Sequence, residues 1–586
     1  MTINMESRTF LSELKKYQKT LEKYVFPLIL FLYPFIGVRQ GVDITDTTYS
    51  LGNFQYQDKL DRMWMLATYL PNVLGHALTF LPGGNTMLGM NMYTTFLICM
   101  IALPVYFLLQ KWMPGWMIFI GEFISISLCW CPRVILYNYM TYLFLTLGVL
   151  CLLYALTIWK GNALHFILAG FFLGLNVMVR FPNVVEAALI LAVWYYGALE
   201  GKKLLQVVRE TLQCMLGYAI GIGIPMLLII VSYGASAYGN MIAALFGMTG
   251  GASDYSMGGM LSSILGAYGH TLSVMVIMVP CVAAGVLMFL LKPGRYMGIR
   301  RILYLAGILV LFKYFFSRGI FTTNYFYYDS MFQAAMMFII LAVVLCVLGI
   351  SGWMNGSREE RLLSLMALLL ILITPIGSNN YTFPLVNNLF FIAPVTLWLL
   401  RRLMQRAGGG QVHFPWKSMM LAVVILLTVQ GTLFHFRYSF VDGADGQARD
   451  TKVTGIPRAE GMMTTAENAE SLQQLYDFLQ KNGLAGQQVI QFGKAPGVCY
   501  LMNLEPAISS LWPDLDSNTE ESFDQDMTEL DPEKQPLVIV HPDFSGEVLA
   551  ERKYDILLDY MANYDYNKVF ENGGYIVYEA DENPAE

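Results

Sequence analysis

Charge is scarce in this chain. Asp, Glu, Lys and Arg make up only 14% of 586 residues against 56% hydrophobic ones, and the mean hydropathy is +0.49. That balance excludes a soluble globular fold and describes a polytopic helical membrane protein. Cysteine and histidine are also few, eight and six. Only Cys499 lies in the polar C-terminal stretch, so no disulfide framework is available. Cys129 and Cys131 stand too close in sequence to act alone as a zinc pair and read as small packing residues. There is no Walker loop, no Rossmann fingerprint after a strand, no zinc-protease helix and no deaminase signature, which removes ATP-driven transport and the common soluble chemistries. The glycines of GYAIGIGIP lie inside an apolar run, where close helix packing explains them better than a phosphate cradle.

What the sequence does have is long apolar runs. About thirteen approach the length needed to cross a hydrocarbon core of roughly 30 Å: residues 24–40, 92–110, 115–131, 139–159, 163–179, 184–199, 212–233, 270–291, 302–316, 331–352, 362–376, 387–400 and 418–434. Lys15, Lys16, Lys19 and Lys23 precede the first run and predict a cytoplasmic N-terminus, residues 1–23. A polar stretch before the run and no small-residue cleavage site after it argue for an anchor rather than a signal peptide. Threading residues 1–434, of which 24–434 form the membrane part, from inside places about 20 Lys and Arg in the cytoplasm and about 7 outside, as the positive-inside rule expects. The cytoplasmic set includes Lys202, Lys203 and Arg209, then Lys292, Arg295, Arg300 and Arg301, then Arg358 and Arg361, and finally Arg401, Arg402 and Arg406.

An odd number of crossings places residues 435–586 outside. This stretch carries 28 Asp and Glu against 10 Lys and Arg. It reads as a small α/β domain with helices near 466–482 and at ILLDYMANY, and strands at QVIQF, CYLM, PLVIVH and YIVYEA.

The first outer loop, residues 41–91, is the longest outer connection before that domain and opens with Asp43 and Asp46, three residues apart. One helical turn would put both on one surface. The following DKLDRMWMLATYLPNVLGHALTFL suits a helix lying in the interface, flanking an entrance for a lipid or acting as a lid. A carboxylate there fits general-base removal of a proton from an acceptor hydroxyl attacking a lipid-linked sugar, and the departing phosphate then needs a cation. Arg180, in the outer turn VMVRFPN, is the first candidate, ahead of Arg39, Arg133 and Arg318. Asn379 and Asn380, in GSNNYTFPLVNN, supply amides suited to a sugar or phosphate and equally to an ordinary turn. The stretch 234–269, around Asp254 and Tyr255, reads as a slack or mobile loop, and TNYFYYDS with Asp329 as an interfacial aromatic belt. His76 and His270 leave a divalent metal ion as the one candidate cofactor, with no ligand set assigned. Glu122 is the one carboxylate expected inside a span.

Taken together, GVDITDTTYSL, VMVRFPN, GSNN and QVIQFGKAPGVCYLMNLEPAISSLW followed by PLVIV resemble the bacterial GT-C-type membrane glycosyltransferases. The resemblance spans nearly the whole chain through its plan, a basic start, one span, an acidic outer loop, further spans and an outer α/β domain. It implies inverting transfer of a sugar from a polyprenyl-phosphate donor to an envelope glycan or lipid acceptor at the outer leaflet of a plasma membrane, without nucleic acid. It also implies an Asp of the first outer loop as base. The family's usual Asp-Glu pair is missing, and Asp46-Thr47-Thr48-Tyr49 fits its acidic-then-aromatic pattern better than Asp43 does. Asp46 is therefore the first choice and Asp43 the second, with Arg180, Tyr49, Asn379 and Asn380 as substrate contacts. The alternative is a transporter or flippase of lipid-linked glycans that makes and breaks no bond.

Overall fold

The computed structural model of the chain describes residues 17–250, 256–290, 296–407 and 416–581, apart from residues 328, 445, 516, 532–533, 543 and 545–547. Lys15, Lys16, Asp254, Tyr255, Lys292 and Arg295 lie outside the described residues. Each apolar run named above is helical for most of its length. Among the described residues six helical stretches are long and apolar enough to cross a membrane: Met87–Leu109, Leu136–Thr157, Phe181–Glu200, Leu204–Tyr233, Met257–Gly285 and Phe332–Ile350. Gly115–Leu128, Ala163–Val179 and Val424–Arg437 are apolar and shorter. The protein is thus a multi-pass helical membrane protein, and thirteen crossings is a count the helices leave as the expectation it was.

Two parts of the membrane body decide how the rest is placed. The first is the helix pair Ala163–Val179 and Leu204–Tyr233, whose backbones touch through glycines. A Cβ on Gly170 would stand 1.9 Å from the Cys214 carbonyl oxygen, and one on Gly217 would stand 1.9 Å from that of Ile167. Gly174 and Gly221 are almost as tight, at 2.2 and 2.3 Å from the carbonyls of Tyr218 and Phe171. Small residues are what let two helices approach this closely in lipid, where no hydrophobic force drives them together. The glycine-rich run is therefore a packing seam.

The second is the end of the first span. Helical turns over Leu21–Val25, Phe26–Leu32 and Tyr33–Phe35 stop at Ile36, which is extended. Gly37 and Gly41 then take φ of +80° and +92°, a backbone region that favours glycine. Arg133 staples the exit by donating to the carbonyls of Pro34, Ile36 and Gly37 at 2.9–3.2 Å. Beyond it the chain pairs directly with the C-terminal domain: the Met463 amide donates to the Arg39 carbonyl at 2.7 Å and the Gly41 amide to the Met463 carbonyl at 2.8 Å.

Among the described residues the C-terminal domain carries seven short strands: β1 (Thr451–Lys452), β2 (Met463–Thr464), β3 (Gln488–Gly493), β4 (Glu505–Pro506), β5 (Leu537–His541), β6 (Tyr566–Glu571) and β7 (Ile576–Ala580). The last five form one sheet in the order β4-β3-β5-β7-β6, with β4, β3 and β5 parallel and β7 antiparallel to both its neighbours. Helix Ala466–Lys481 buries Leu472, Leu475 and Leu479, and Val548–Asn563 covers the other expected helical segment.

Two expectations are corrected. CYLM is not a strand but part of the short helix Val498–Met502, all five of whose residues are buried. Its start is held by Gln491 Oε1, which accepts from the Cys499 amide at 2.9 Å. Burial on every side erases the periodicity that separates strand from helix in a short apolar run. The stretch 234–269 is not a loop either, since helices occupy Ala237–Gly250 and Met257–Met275.

The glycine seam yields a contrast. Gly170→Ala and Gly221→Ala should each destabilise the purified protein by about 1–3 kcal/mol, read as a lower thermal unfolding temperature. Gly223→Ala, whose Cβ would meet nothing within 4 Å, should be neutral or slightly stabilising. Equal effects at all three would contradict the seam.

Candidate active site

The two carboxylates that open the 41–91 segment do not play equal parts. The helix Asp46–Gln55 begins at Asp46 with Thr45 in the N-cap position, and Asp43, two residues earlier, folds back onto the amides of Thr45 and Thr47 and so closes the helix start. Oδ1 of Asp43 accepts from the Thr45 amide at 2.9 Å and the Thr45 hydroxyl at 2.6 Å, while Oδ2 accepts from the Thr47 amide at 2.6 Å. Asp43 is 3% exposed. A hydrogen bond to a charged group contributes about 1.5–3 kcal/mol, so an Asp43 that took up a proton would weaken three of them. Burial pushes its carboxyl up, and the same three donors pull it back.

Asp46 is different. It is partly buried, and among the described residues no hydrogen bond or ion pair engages its carboxylate. Burial, reinforced by the charge of Asp43, pushes it up to about 7. A carboxylate with free lone pairs and a near-neutral pKa is suited to exchange protons at ordinary pH. Helical continuation through both residues, which would have made them equivalent, does not occur, because Asp43 folds back onto the amides of the first turn.

A narrow cleft of about 70 Å³ opens beside this turn, lined among others by Asp43, Thr47, Asn91, Arg133 and His435. Cys131 lines it too and lies within electrostatic range of both Asp43 and Asp46. Tyr142 in turn lies within range of Cys131 and of Arg180. Its hydroxyl is buried with no hydrogen-bond partner among the described residues.

Arg180 sits in extended backbone between the helices Ala163–Val179 and Phe181–Ile190. Its Nε donates to Asn183 Oδ1 at 2.9 Å. Asn183 is itself held by Thr141 Oγ1 at 2.8 Å and the Asn176 carbonyl at 2.9 Å, and Asn176 Nδ2 donates to both oxygens of Glu186 at 2.8–2.9 Å. The guanidinium is therefore oriented by a buried polar network, and no hydrogen bond takes its two Nη groups among the described residues. Gly377, at φ +79°, packs so close to this turn that a Cβ there would stand 2.2 Å from Pro182 Cβ. The VRFPN and GSNN turns are thus stacked. Asn379 is partly buried and Asn380 exposed beside them.

Other sequence candidates are placed elsewhere. The ring of Tyr49 meets Trp512 of the outer domain edge-on at 5.7 Å. Arg133 is committed to the carbonyls of the first span's exit, and Arg318 lies over the Tyr314 ring. His76 Nδ1 bonds the Phe54 carbonyl at 2.8 Å. Among the described residues no three His, Cys, Asp or Glu side chains converge as a metal site, and no ligand set is named. Sequence reading missed Tyr142, Asn183 and Glu186. The one signal for Tyr142 and Glu186 was their polarity within apolar runs, and for Asn183 its place in the VMVRFPN turn.

No family model matches the chain, and no characterised protein sequence does. Among solved structures, archaeal oligosaccharyltransferase AglB from Archaeoglobus fulgidus, in complex with an inhibitory peptide and a dolichol-phosphate, is 12% identical. It aligns over 97% of this chain and 75% of that one with a TM-score of 0.45. An Archaeoglobus fulgidus oligosaccharyltransferase tethered to an acceptor peptide containing the NVT sequon gives the same identity and coverage and a TM-score of 0.48. At those values the likeness decides neither residue roles nor chemistry.

The carboxylate pair makes opposite stability predictions. Asp43→Ala should destabilise the protein by about 1–2 kcal/mol through loss of the helix cap. Asp46→Asn should be neutral at acid pH and stabilising as pH rises. The wild-type fold must carry an ionised Asp46 above about 7, a cost absent below the ordinary carboxylate range. Thermal unfolding of both variants from pH 4.5 to 8 reads the difference.

Proposed function

We propose that the protein is a membrane glycosyltransferase that moves a sugar from a polyprenyl-phosphate donor onto a glycan or lipid acceptor at the outer leaflet of a plasma membrane. The reading rests on one observation above the others. Asp46 is an unengaged carboxylate of raised pKa on the first outer loop, fixed by a neighbour, Asp43, that has spent its own lone pairs.

In this reading the acceptor O–H approaches the anomeric carbon on the face opposite the phosphate. Asp46 takes the hydroxyl proton as the new C–O bond forms. The bond between the anomeric carbon and the phosphate oxygen breaks, its electron pair leaves with polyprenyl phosphate, and configuration inverts. Arg180, with its Nη groups unspent, receives the developing phosphate charge, and Asn379 and Asn380 on the adjoining turn hydrogen-bond the donor. Asp46 then loses its proton to water. The cytoplasmic N-terminus and external C-terminal domain belong to the same proposal, since the reaction needs the loop and the outer domain on one side.

A second reading, movement of a lipid-linked glycan without bond chemistry, is favoured by Glu122. Both its carboxylate oxygens are buried inside the helix Gly115–Leu128 without a hydrogen-bond partner among the described residues. An ionisable group at membrane depth is a common mark of transport. Glu122→Gln separates the two: transport coupled to that group would be lost, whereas sugar transfer should persist.

The direct test is transfer of radiolabelled sugar from a panel of polyprenyl-phosphate donors by the purified protein in lipid nanodiscs. Asp46→Asn should lower the rate by about 10²–10⁴-fold with donor binding retained, and Arg180→Ala should weaken donor binding. The wild-type rate should fall as pH drops below about 7, because only ionised Asp46 accepts a proton. Full activity in Asp46→Asn would sink the proposal.

A further inference from the structure

A second opening, separate from the cleft beside Asp43, lies between the base-bearing turn and the outer domain, with about 1290 Å³ of empty space. One wall is Ile44 and Thr45, the two residues between Asp43 and Asp46. The opposite wall is the outer sheet. Lys494 follows the last residue of β3, and His541 ends β5. These strands are adjacent and parallel, and the chain leaves them in opposite directions, from β3 toward β4 at one edge and from β5 toward β6 and β7 at the other. That is a topological switch point, and the crevice outside the carboxyl ends of two such strands is where open α/β sheets hold ligands. Here the crevice faces the turn that carries Asp46.

The chemistry of the lining narrows the occupant. Helix Ala466–Lys481 turns its apolar stripe into the domain and presents Glu467, Glu470 and Gln474 to the opening. The hydroxyl of Thr45, which donates to Asp43, and the nitrogens of Lys494 and His541 also line it. Carboxylates and amide oxygens accept, while amide, amine and hydroxyl groups donate, so the walls match groups that do both at once. Few large apolar side chains are available for an acyl chain or an apolar peptide side chain, and the two glutamates disfavour a polyanion.

We infer that this crevice is the binding site of a neutral, polyhydroxylated acceptor, the end of a glycan chain, whose reacting hydroxyl reaches Asp46 past Thr45. The inference rests on the proposed transfer reaction for its direction, and on the crevice alone for its ligand class.

The test separates the two. Fluorescein-labelled chitotetraose, mannotetraose and galactotetraose, and a labelled Asn-Val-Thr hexapeptide, are titrated against the full-length protein in nanodiscs by fluorescence anisotropy. The variants are Gly573→Trp, Glu470→Ala and Gln474→Ala. Gly573 borders the crevice, and a Cβ on it would meet nothing within 4 Å, so the Trp fills space without disturbing the fold. At least one tetrasaccharide should bind saturably, with affinity at least tenfold weaker in Gly573→Trp and weakened in Glu470→Ala or Gln474→Ala, at unchanged unfolding temperature. Binding of the peptide alone, glycan binding indifferent to Gly573→Trp, or no glycan binding overturns the inference. Each protein is also assayed for sugar transfer. A glycan that binds in the crevice yet receives no sugar from any donor leaves the site standing and removes the transfer reaction. Transfer that persists unchanged in Gly573→Trp removes the site and leaves the reaction.

Discussion

The arrangement depends on a short turn, Gly41 to Thr47, being gripped from two sides. From within, Asp43 gathers the amides and hydroxyl of Thr45 and Thr47 and so fixes where the next helix begins. From outside, the outer domain holds the backbone just before it. Met463 pairs with Arg39 and Gly41, and Asn468 donates to the Val42 carbonyl at 3.3 Å and to Asp442 at 2.9 Å. Asp442 is itself fully buried and accepts from Thr464 Oγ1 at 2.5 Å. Buried polar groups left unmatched cost about 1–3 kcal/mol each. Neither body can therefore move off this turn without loss.

The same grip extends along the helix that follows. Gly52 approaches Leu511 so closely that a Cβ there would stand 2.7 Å from it, and a Cβ on Gly497 would stand 2.0 Å from Thr48 Oγ1. Arg458 reaches from the outer domain to Gln55 and the Asn85 carbonyl, and Lys59 pairs with Glu505 at 2.8 Å. The exposed ion pair adds little; the packing is what matters. Loop and outer domain share one apolar core containing Leu51, Phe54, Met87, Val498 and Leu511. The domain is thus a wall of the candidate site.

Much of this was legible in the sequence because bilayer solvation writes long, simple patterns. Apolar runs and a polar, acidic tail pointed directly to the membrane body and the C-terminal α/β domain. Where burial is uniform the pattern goes silent, as with Val498–Met502, read as a strand and folded as a helix. The site was legible in part. Asp43 and Asp46 stood out by placement, but a spacing of three residues could not say that one caps a helix and the other is free, because that depends on where the helix starts. Arg180 was visible as a lone cation. The network that aims it, Thr141, Asn176, Asn183 and Glu186, joins residues up to 45 apart in sequence and has no local signature.

The most direct test of the account is the position of the donor sugar relative to Asp46. A cryo-EM structure of the full chain in nanodiscs, bound to a non-transferable polyprenyl phosphonate sugar, should place the anomeric carbon one acceptor oxygen away from the Asp46 carboxylate. That is about 4–6 Å, with the phosphonate against Arg180. A sugar seated more than roughly 10 Å from Asp46, beyond any hydrogen-bonded acceptor, would contradict the account.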